Sequence, residues 1–394
     1  MRFSKFQEFR PGTEQVPAST GTETVPASTS TETAPAQQVA EAAPALAGRR
    51  DFLKSAAGTA GAAAAVATGV GATQVAQAQT QVAQAQLAQA GPAQAPWWPS
   101  RWGADDQAGA SNWITPDKVK DAVKWIKDGK IYRIGRVYEA TMPLFGARVF
   151  ALRMPGMPSG GPYGDNGLVY NDEFLATEIG QVGTQFDGLG HIGMQMGKEG
   201  DRSEHRYYNG RTGNEIYDSY GLKKNGIEHV KPFFTRAHLV DVQGLTGQMW
   251  DKGQEIKPNH VIDALKKQKM DEKDIKPGDA VFFNTGWSSL WGKNNDRFNS
   301  GQPGIGVDVA NWLVEKQIAV TGGDTWATEV VPNPNEKLAF RVHQILLTQN
   351  GIFNHENLNF EELLKDGKYR FVYVFAPMPV KGATGSAGSP IAMT

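Results

Sequence analysis

From residue 97 onward, apolar positions fall into short runs whose spacing switches between the periods of strands and of helices. Thr115-Pro116-Asp117, followed by Val119, Val123, Trp125 and Ile126, predicts a helix with Thr as its cap and Pro in its first turn. Lys130–Ile134 and Val137–Thr141 predict short strands. Residues 151–168 are rich in Gly, Pro and Met and predict a long loop, a feature that carries function more often than not. Ala237–Val242 reads as a strand, Val261–Lys269 as a helix and Ala280–Thr285 as a buried strand. Val307–Lys316 then predicts a helix, and Ile318–Asp324 and Tyr369–Pro377 two more strands. Strands and helices alternate irregularly, the pattern of an α/β domain with a mixed sheet.

The first part of the chain has no such pattern. Residues 1–47 are low in complexity, with a near-repeat that begins at Val16 and again at Val25. They carry too little apolar bulk to offset the entropy of ordering. Arg49-Arg50-Asp51-Phe52-Leu53-Lys54, an Ala/Gly stretch to Ala72, and Ala76-Gln77-Ala78 resemble a twin-arginine export signal. A membrane anchor is the alternative, but Ala and Gly are poor material for a bilayer span of about 20 strongly apolar residues. A plain low-complexity tail is the other. Residues 1–78 are therefore expected to be a disordered prefix plus export signal, and 79–96 a linker. Residues 97–394 are expected to be the folded domain of a periplasmic or secreted protein with no stable membrane anchor.

Charge and composition narrow the chemistry. The 40 Lys and Arg nearly cancel the 41 Asp and Glu, and no basic run is interleaved with aromatics, so a nucleic-acid partner is not expected. The absence of cysteine excludes thiolate metal sites, thiol nucleophiles and disulfides. No Gly-x-Gly-x-x-Gly stands between a predicted strand and a predicted helix, no phosphate loop ends in Gly-Lys-Ser/Thr, and there is no Gly-x-Ser-x-Gly elbow.

The informative stretch is Gln181-Val-Gly-Thr-Gln185-Phe-Asp187-Gly-Leu-Gly-His191. In an extended backbone Gln185 and Asp187 face the same way. Gly183, Gly188 and Gly190 allow the chain to bend around a small centre. A carboxylate, an imidazole and two amide oxygens suit a divalent ion. On spacing alone, a Gly-rich turn whose polar side chains satisfy local donors is the favoured reading.

The segment resembles the signature of the cyclase and kynurenine-formamidase family, His-x-Gly-Thr-His-x-Asp-x-x-x-His. Gly183, Thr184, Asp187 and His191 match, and Gln181 and Gln185 replace the leading histidines. Similar segments follow in the family's order: Trp102–Asn112, Lys276–Trp287, Gly322–Glu329, Val342–Gln344, His355–Leu358 and Gly382–Pro390. The resemblance implies a single catalytic domain with the swivelling β/β/α fold, assembled as a dimer or tetramer. It implies a divalent zinc or manganese ion, with one ligand set becoming Gln181, Gln185 and Asp187 here. The other becomes Asp187, His191, His343 and Glu356. It further implies hydrolysis of a small cyclic or acyl amide or ester: an arylformamide, a lactam or an unsaturated lactone. Asp187 and His191 are the expected catalytic groups, with His191 either a ligand or a proton shuttle. Trp102, Trp287 and Trp326 are the expected substrate contacts, and His355 a surface residue. Loss of two signature histidines leaves a metal-free solute-binding protein as the rival reading.

Export generates the first test. Changing Arg49 and Arg50 to Lys should leave the full-length precursor in the cytoplasm, as read by fractionation and immunoblot. Normal processing of that variant would remove the export assignment.

Overall fold

The computed structural model describes residues 96–394. The export signal, its cleavage after Ala78 and the linker lie outside these residues, Pro96 excepted. Nine strands form one mixed sheet: β1 (Ile131–Arg133), β2 (Gln185–Asp187), β3 (Phe233–Asp241), β4 (Ala280–Asn284), β5 (Val320–Gly323), β6 (Phe353–Glu356), β7 (Arg370–Phe375), β8 (Gly385–Ala387) and β9 (Ile391–Met393). Their order across the sheet is β1-β9-β7-β3-β4-β5-β6-β2-β8.

The centre, β3-β4-β5-β6, is parallel. Every residue of β4 is buried, the uniform apolar pattern of a strand covered on both faces. Two helices add apolar stripes to the same buried core. α1 (Pro258–Lys267) buries Val261, Ala264 and Leu265, one stripe at helical spacing, and α2 (Val307–Glu315) buries Val309, Ala310 and Leu313. Each fully buried aliphatic or aromatic side chain contributes about 1.5–3 kcal/mol, so this parallel core is the main source of stability. The direction of pairing changes on both sides of this centre, where β7 runs antiparallel to β3 and β2 runs antiparallel to β6. The sheet is the mixed α/β arrangement expected. Thr115 caps the early helix Pro116–Val123 as its sequence predicts.

Two local expectations fail. Val137–Thr141 is not a strand, because the Tyr138 hydroxyl donates to the Thr184 carbonyl and accepts from the Gly388 amide, so the segment braces the Gly-rich turn instead. Residues 151–168 are not a plain loop. Phe150–Arg153 pairs antiparallel with Phe174–Thr177, and Gly160–Tyr163 pairs with Leu168–Tyr170. The glycines at 164 and 167 serve a tight turn at the tip, and the ladders flank it, with Leu152, Met157, Leu168 and Phe174 left exposed.

His355, expected at the surface, is wholly buried, with Nδ1 2.6 Å from the Tyr373 hydroxyl. Burial pulls its pKa down to about 3, so it is neutral. Among the described residues no helix is long and apolar enough to cross a membrane.

One buried acid ties the early helix to the sheet. Asp279, just before β4, is fully enclosed and accepts from Arg236 at 2.9 and 3.1 Å. His238 Nε2 lies 3.0 Å from it, and Lys118 of the early helix pairs with it too. Burial opposes its charge, but the hydrogen bonds from His238 and Arg236 and the Lys118 charge prevail, taking its pKa down to about 2. A carboxyl held below its unfolded value of about 3.9 stabilises the fold above that pH and loses the contribution as pH falls towards 2. Asp279→Asn should therefore cost roughly 2 kcal/mol at pH 7. In urea unfolding, the gap between variant and native protein should close between about pH 4 and pH 2. A gap that is constant with pH would mean the acid's charge is not what stabilises.

Candidate metal centre

The register of β6 against β2 builds the centre. Asn354 lies opposite Asp187, His355 opposite Phe186, and Glu356 opposite Gln185. Side chains alternate along a strand, so Gln185, Asp187, Asn354 and Glu356 share one face. Phe186 and His355 take the other, where their rings meet edge to face at 5.4 Å. Close pairing on the far side of β6 depends on Gly322, where a Cβ would lie 1.9 Å from the His355 carbonyl oxygen. Gly183 has φ 60, and a Cβ there would sit 2.6 Å from the Tyr138 ring, so the turn into β2 also demands glycine.

All four polar side chains of the shared face are at most 4% exposed. Buried polar groups need partners, and these find one another. Gln185 donates to Glu356 Oε2 at 2.6 Å, and Gln181 donates to Asp187 Oδ1 at 3.1 Å. The two glutamines thus hold the outer oxygen of each carboxylate. The inner oxygens face His343, whose Nε2 lies 3.2 Å from Glu356 Oε1 and 3.6 Å from Asp187 Oδ2.

His343 is aimed from behind. It ends a short helical turn, Arg341–His343, entered through Phe340 in the left-handed region and continued by a π-helix over Gln344–Gln349. The Glu329 carboxylate caps that turn, accepting from the Val342 and His343 amides at 3.3 and 3.0 Å. The same carboxylate lies 2.5 Å from His343 Nδ1. With Nδ1 held by Glu329, the imidazole turns its Nε2 towards Asp187 and Glu356, the arrangement that orients a histidine for metal binding.

Asp187, His343 and Glu356 offer ligand atoms that all lie within 4.8 Å of one another. Burial, then the Asp187 charge, pushes the Glu356 carboxyl up to about 7. Burial opposes protonation of His343, yet bonds to Asp187, Glu329 and Glu356 raise it well above its usual range. The cluster thus retains protons in the place where positive charge is needed. Two hard oxygens and one imidazole nitrogen, buried and short of positive charge, fit a divalent cation.

His191 stands at the edge, its Nε2 3.8 Å from Asp187 Oδ1 and its side chain 22% exposed. Burial lowers its pKa despite the Asp187 charge. Arg148 donates to Gln181 Oε1 at 3.1 Å. Phe340 meets His343 edge to face at 5.6 Å, and Trp326 lies 6.4 Å from Phe340 and stacks on Phe145 at 4.2 Å. This aromatic series brings Trp326 within one ring of the centre. Trp287 is wholly enclosed, its N–H donating to the Phe298 carbonyl at 3.2 Å, and Trp102 packs edge to face on Trp113.

Sequence reasoning did not single out Asn354, Arg148, Phe340 or the grip of Glu329 on His343. Asn354 alone had a signal, because it stands two residues before Glu356 and so shares its face on a strand.

The family model described as "Putative cyclase" matches residues 132–330, a span that includes Gln181–His191 and Glu329 and stops before His343. No curated protein matches the chain. Among solved structures, a novel cyclase aligns with a TM-score of 0.65 at 30% identity, over 75% of this chain and 98% of its own. Isatin hydrolase A from Labrenzia aggregata, bound to benzyl benzoate, aligns with a TM-score of 0.49 at 18% identity, over 67% of this chain and 93% of its own. An isatin hydrolase bound to the product analogue thioisatinate gives 0.48 at 16%, over 71% and 99%.

The role of Glu329 can be measured directly. Glu329→Ala leaves the His343 Nδ1 proton and two backbone amides without partners. We expect a loss of roughly 1–3 kcal/mol in unfolding free energy. Mn²⁺ affinity, read by calorimetry, should fall about 10–100-fold. If both quantities match the native protein, Glu329 does not hold the imidazole.

Proposed function

Because this chain belongs to the cyclase family, we propose that it is a hydrolase whose Asp187, His343 and Glu356 hold one divalent cation, zinc or manganese. Its substrate is a small cyclic or acyl amide or ester, of the arylformamide, lactam or unsaturated-lactone class. The observation that carries this reading is the buried cluster of two carboxylates and one imidazole, with the imidazole turned towards them by Glu329. A cation held there supplies Lewis acidity to a carbonyl oxygen and to water.

The chain's own groups supply the rest. His191 is half-buried at the edge of the cluster, its lowered pKa leaving it unprotonated at neutral pH and able to accept a proton from water. Protonated, it is stabilised by Asp187 at 3.8 Å and returns the proton to the departing nitrogen or oxygen. Gln181 and Gln185 fix the outer carboxylate oxygens, so neither acid rotates out of line during turnover. The stacked pair Phe145 and Trp326, with Phe340, puts aromatic rings beside the centre, which suits a planar substrate.

Cation content and turnover of a panel of aryl formamides, lactams and unsaturated lactones test the proposal together. Asp187→Ala, His343→Ala and Glu356→Ala should lose both. Gln181→Ala should keep more of its cation than His343→Ala, since it removes only a hydrogen bond to a ligand. His191→Ala should retain the cation while kcat falls by about 10²–10⁴-fold, the range for a general acid–base group. Native protein free of metal, with hydrolysis unaffected by chelators, would end this reading.

A further inference from the structure

The side chain that reaches furthest into the cluster is none of the three ligand candidates. Asn354 Nδ2 lies 2.6 Å from Glu356 Oε1, 3.1 Å from His343 Nε2 and 3.3 Å from Asp187 Oδ2. These are the atoms a cation would draw on. An amide nitrogen carries two hydrogens, so it cannot serve three acceptors at full strength. The arrangement nonetheless puts the only partial positive charge the strand can offer between two acids. Asn354 is 2% exposed, and its neighbours on both sides face away from the cluster, so it has no second environment to move to.

The far side of the amide is not fixed in the same way. Asn354 Oδ1 accepts from the Thr328 hydroxyl at 2.6 Å. A hydroxyl donates or accepts by turning about its own bond. If the amide turns over, the Thr328 hydroxyl can accept from the nitrogen in place of donating to the oxygen, so the contact is kept, and the oxygen faces Asp187, His343 and Glu356.

We propose that Asn354 is a reversible fourth ligand, its amide oxygen turning towards a divalent cation and its N–H groups taking the cation's place when none is bound. This rests on the proposed metal centre and adds to it a resident neutral ligand. Charge supports an amide at this position. Two carboxylates already balance a dication, and a third acid would leave the buried centre with excess negative charge. Strand geometry supports it as well. Asn354 and Glu356 are alternate residues of β6, and Asp187 is the direct cross-strand partner of Asn354, so all three project from one small patch of sheet.

The sign of one measurement separates this from the simpler view that Asn354 only blocks the cluster. Mn²⁺ is titrated calorimetrically into the purified protein and into Asn354→Ala and Asn354→Asp, each with an unchanged circular dichroism spectrum. If the amide oxygen is a ligand, Asn354→Ala weakens Mn²⁺ binding about 10–100-fold. Asn354→Asp, which keeps an oxygen and has no N–H to offer when ionised, binds Mn²⁺ at least as tightly as the native protein. Unchanged or tighter binding by Asn354→Ala overturns the proposal while leaving the metal centre standing, and so does loss of binding by Asn354→Asp alone. Native protein that takes up no Mn²⁺ overturns both. Should Asn354→Ala not fold, the Asn354→Asp titration and Thr328→Val decide. Thr328→Val removes the hydroxyl that accommodates either orientation and should weaken Mn²⁺ binding, and unchanged affinity there counts against the turn.

Discussion

The antiparallel pairing of Gln185–Asp187 with Phe353–Glu356 is the constraint on which the centre depends, because it brings two acids to one buried face of the sheet. Carboxylates in such a place repel each other and resist desolvation. Much of the surrounding structure is arranged in response. Two glutamines hold the outer oxygens, an asparagine and a histidine face the inner ones, and a third acid turns the histidine to the correct side. Even the helical turn that carries His343 starts where it does because Glu329 satisfies its first amides.

The same sheet contains a buried acid that is handled in a different way. Asp279 is met by Arg236, Lys118 and His238, so its charge is fully answered from within the chain. The Asp187–Glu356 pair has one imidazole and a set of amides. Both sites are buried equally, so burial does not distinguish them. The distinction lies in how positive charge is supplied: Asp279 is complete and structural, whereas the other cluster is left with a deficit that a cation from solution would fill. Strong pKa displacement occurs at both, downward at Asp279 and upward at Glu356.

The aromatic side chains divide along similar lines. Trp287 is closed off and serves packing, while Trp326, Phe145 and Phe340 form a series that ends against His343. The arm over residues 150–177 leaves this neighbourhood through Arg148 and returns through Gln181, so its base touches the centre while its tip is exposed.

Strands β3, β4 and β5 and the two helices of the core were legible in the amino-acid sequence because each carries a run or stripe of apolar residues, a pattern set by local geometry, whereas β6, Phe-Asn-His-Glu, was not, because its polar residues match no strand pattern. The Gly-rich segment from Gln181 to His191 was legible too, since its glycines and polar side chains lie close along the chain. The arm was not, because Gly and Pro at its turns masked two antiparallel ladders, the inner one made by partners that stand far apart along the chain, Phe150 to Thr177 at its base. His355 was misjudged for a related reason: polarity predicted exposure, and only Tyr373 and Phe186 from other strands give a neutral imidazole a buried place. Sequence order places Asp187 far from Glu329, His343, Asn354 and Glu356, and no periodicity links β2 to β6. Tertiary structure alone decided that Glu329 grips His343, that the two glutamines donate to the acids, and that Asn354 points between them. These are matters of cross-strand register and side-chain orientation, which exist only once the strands have paired.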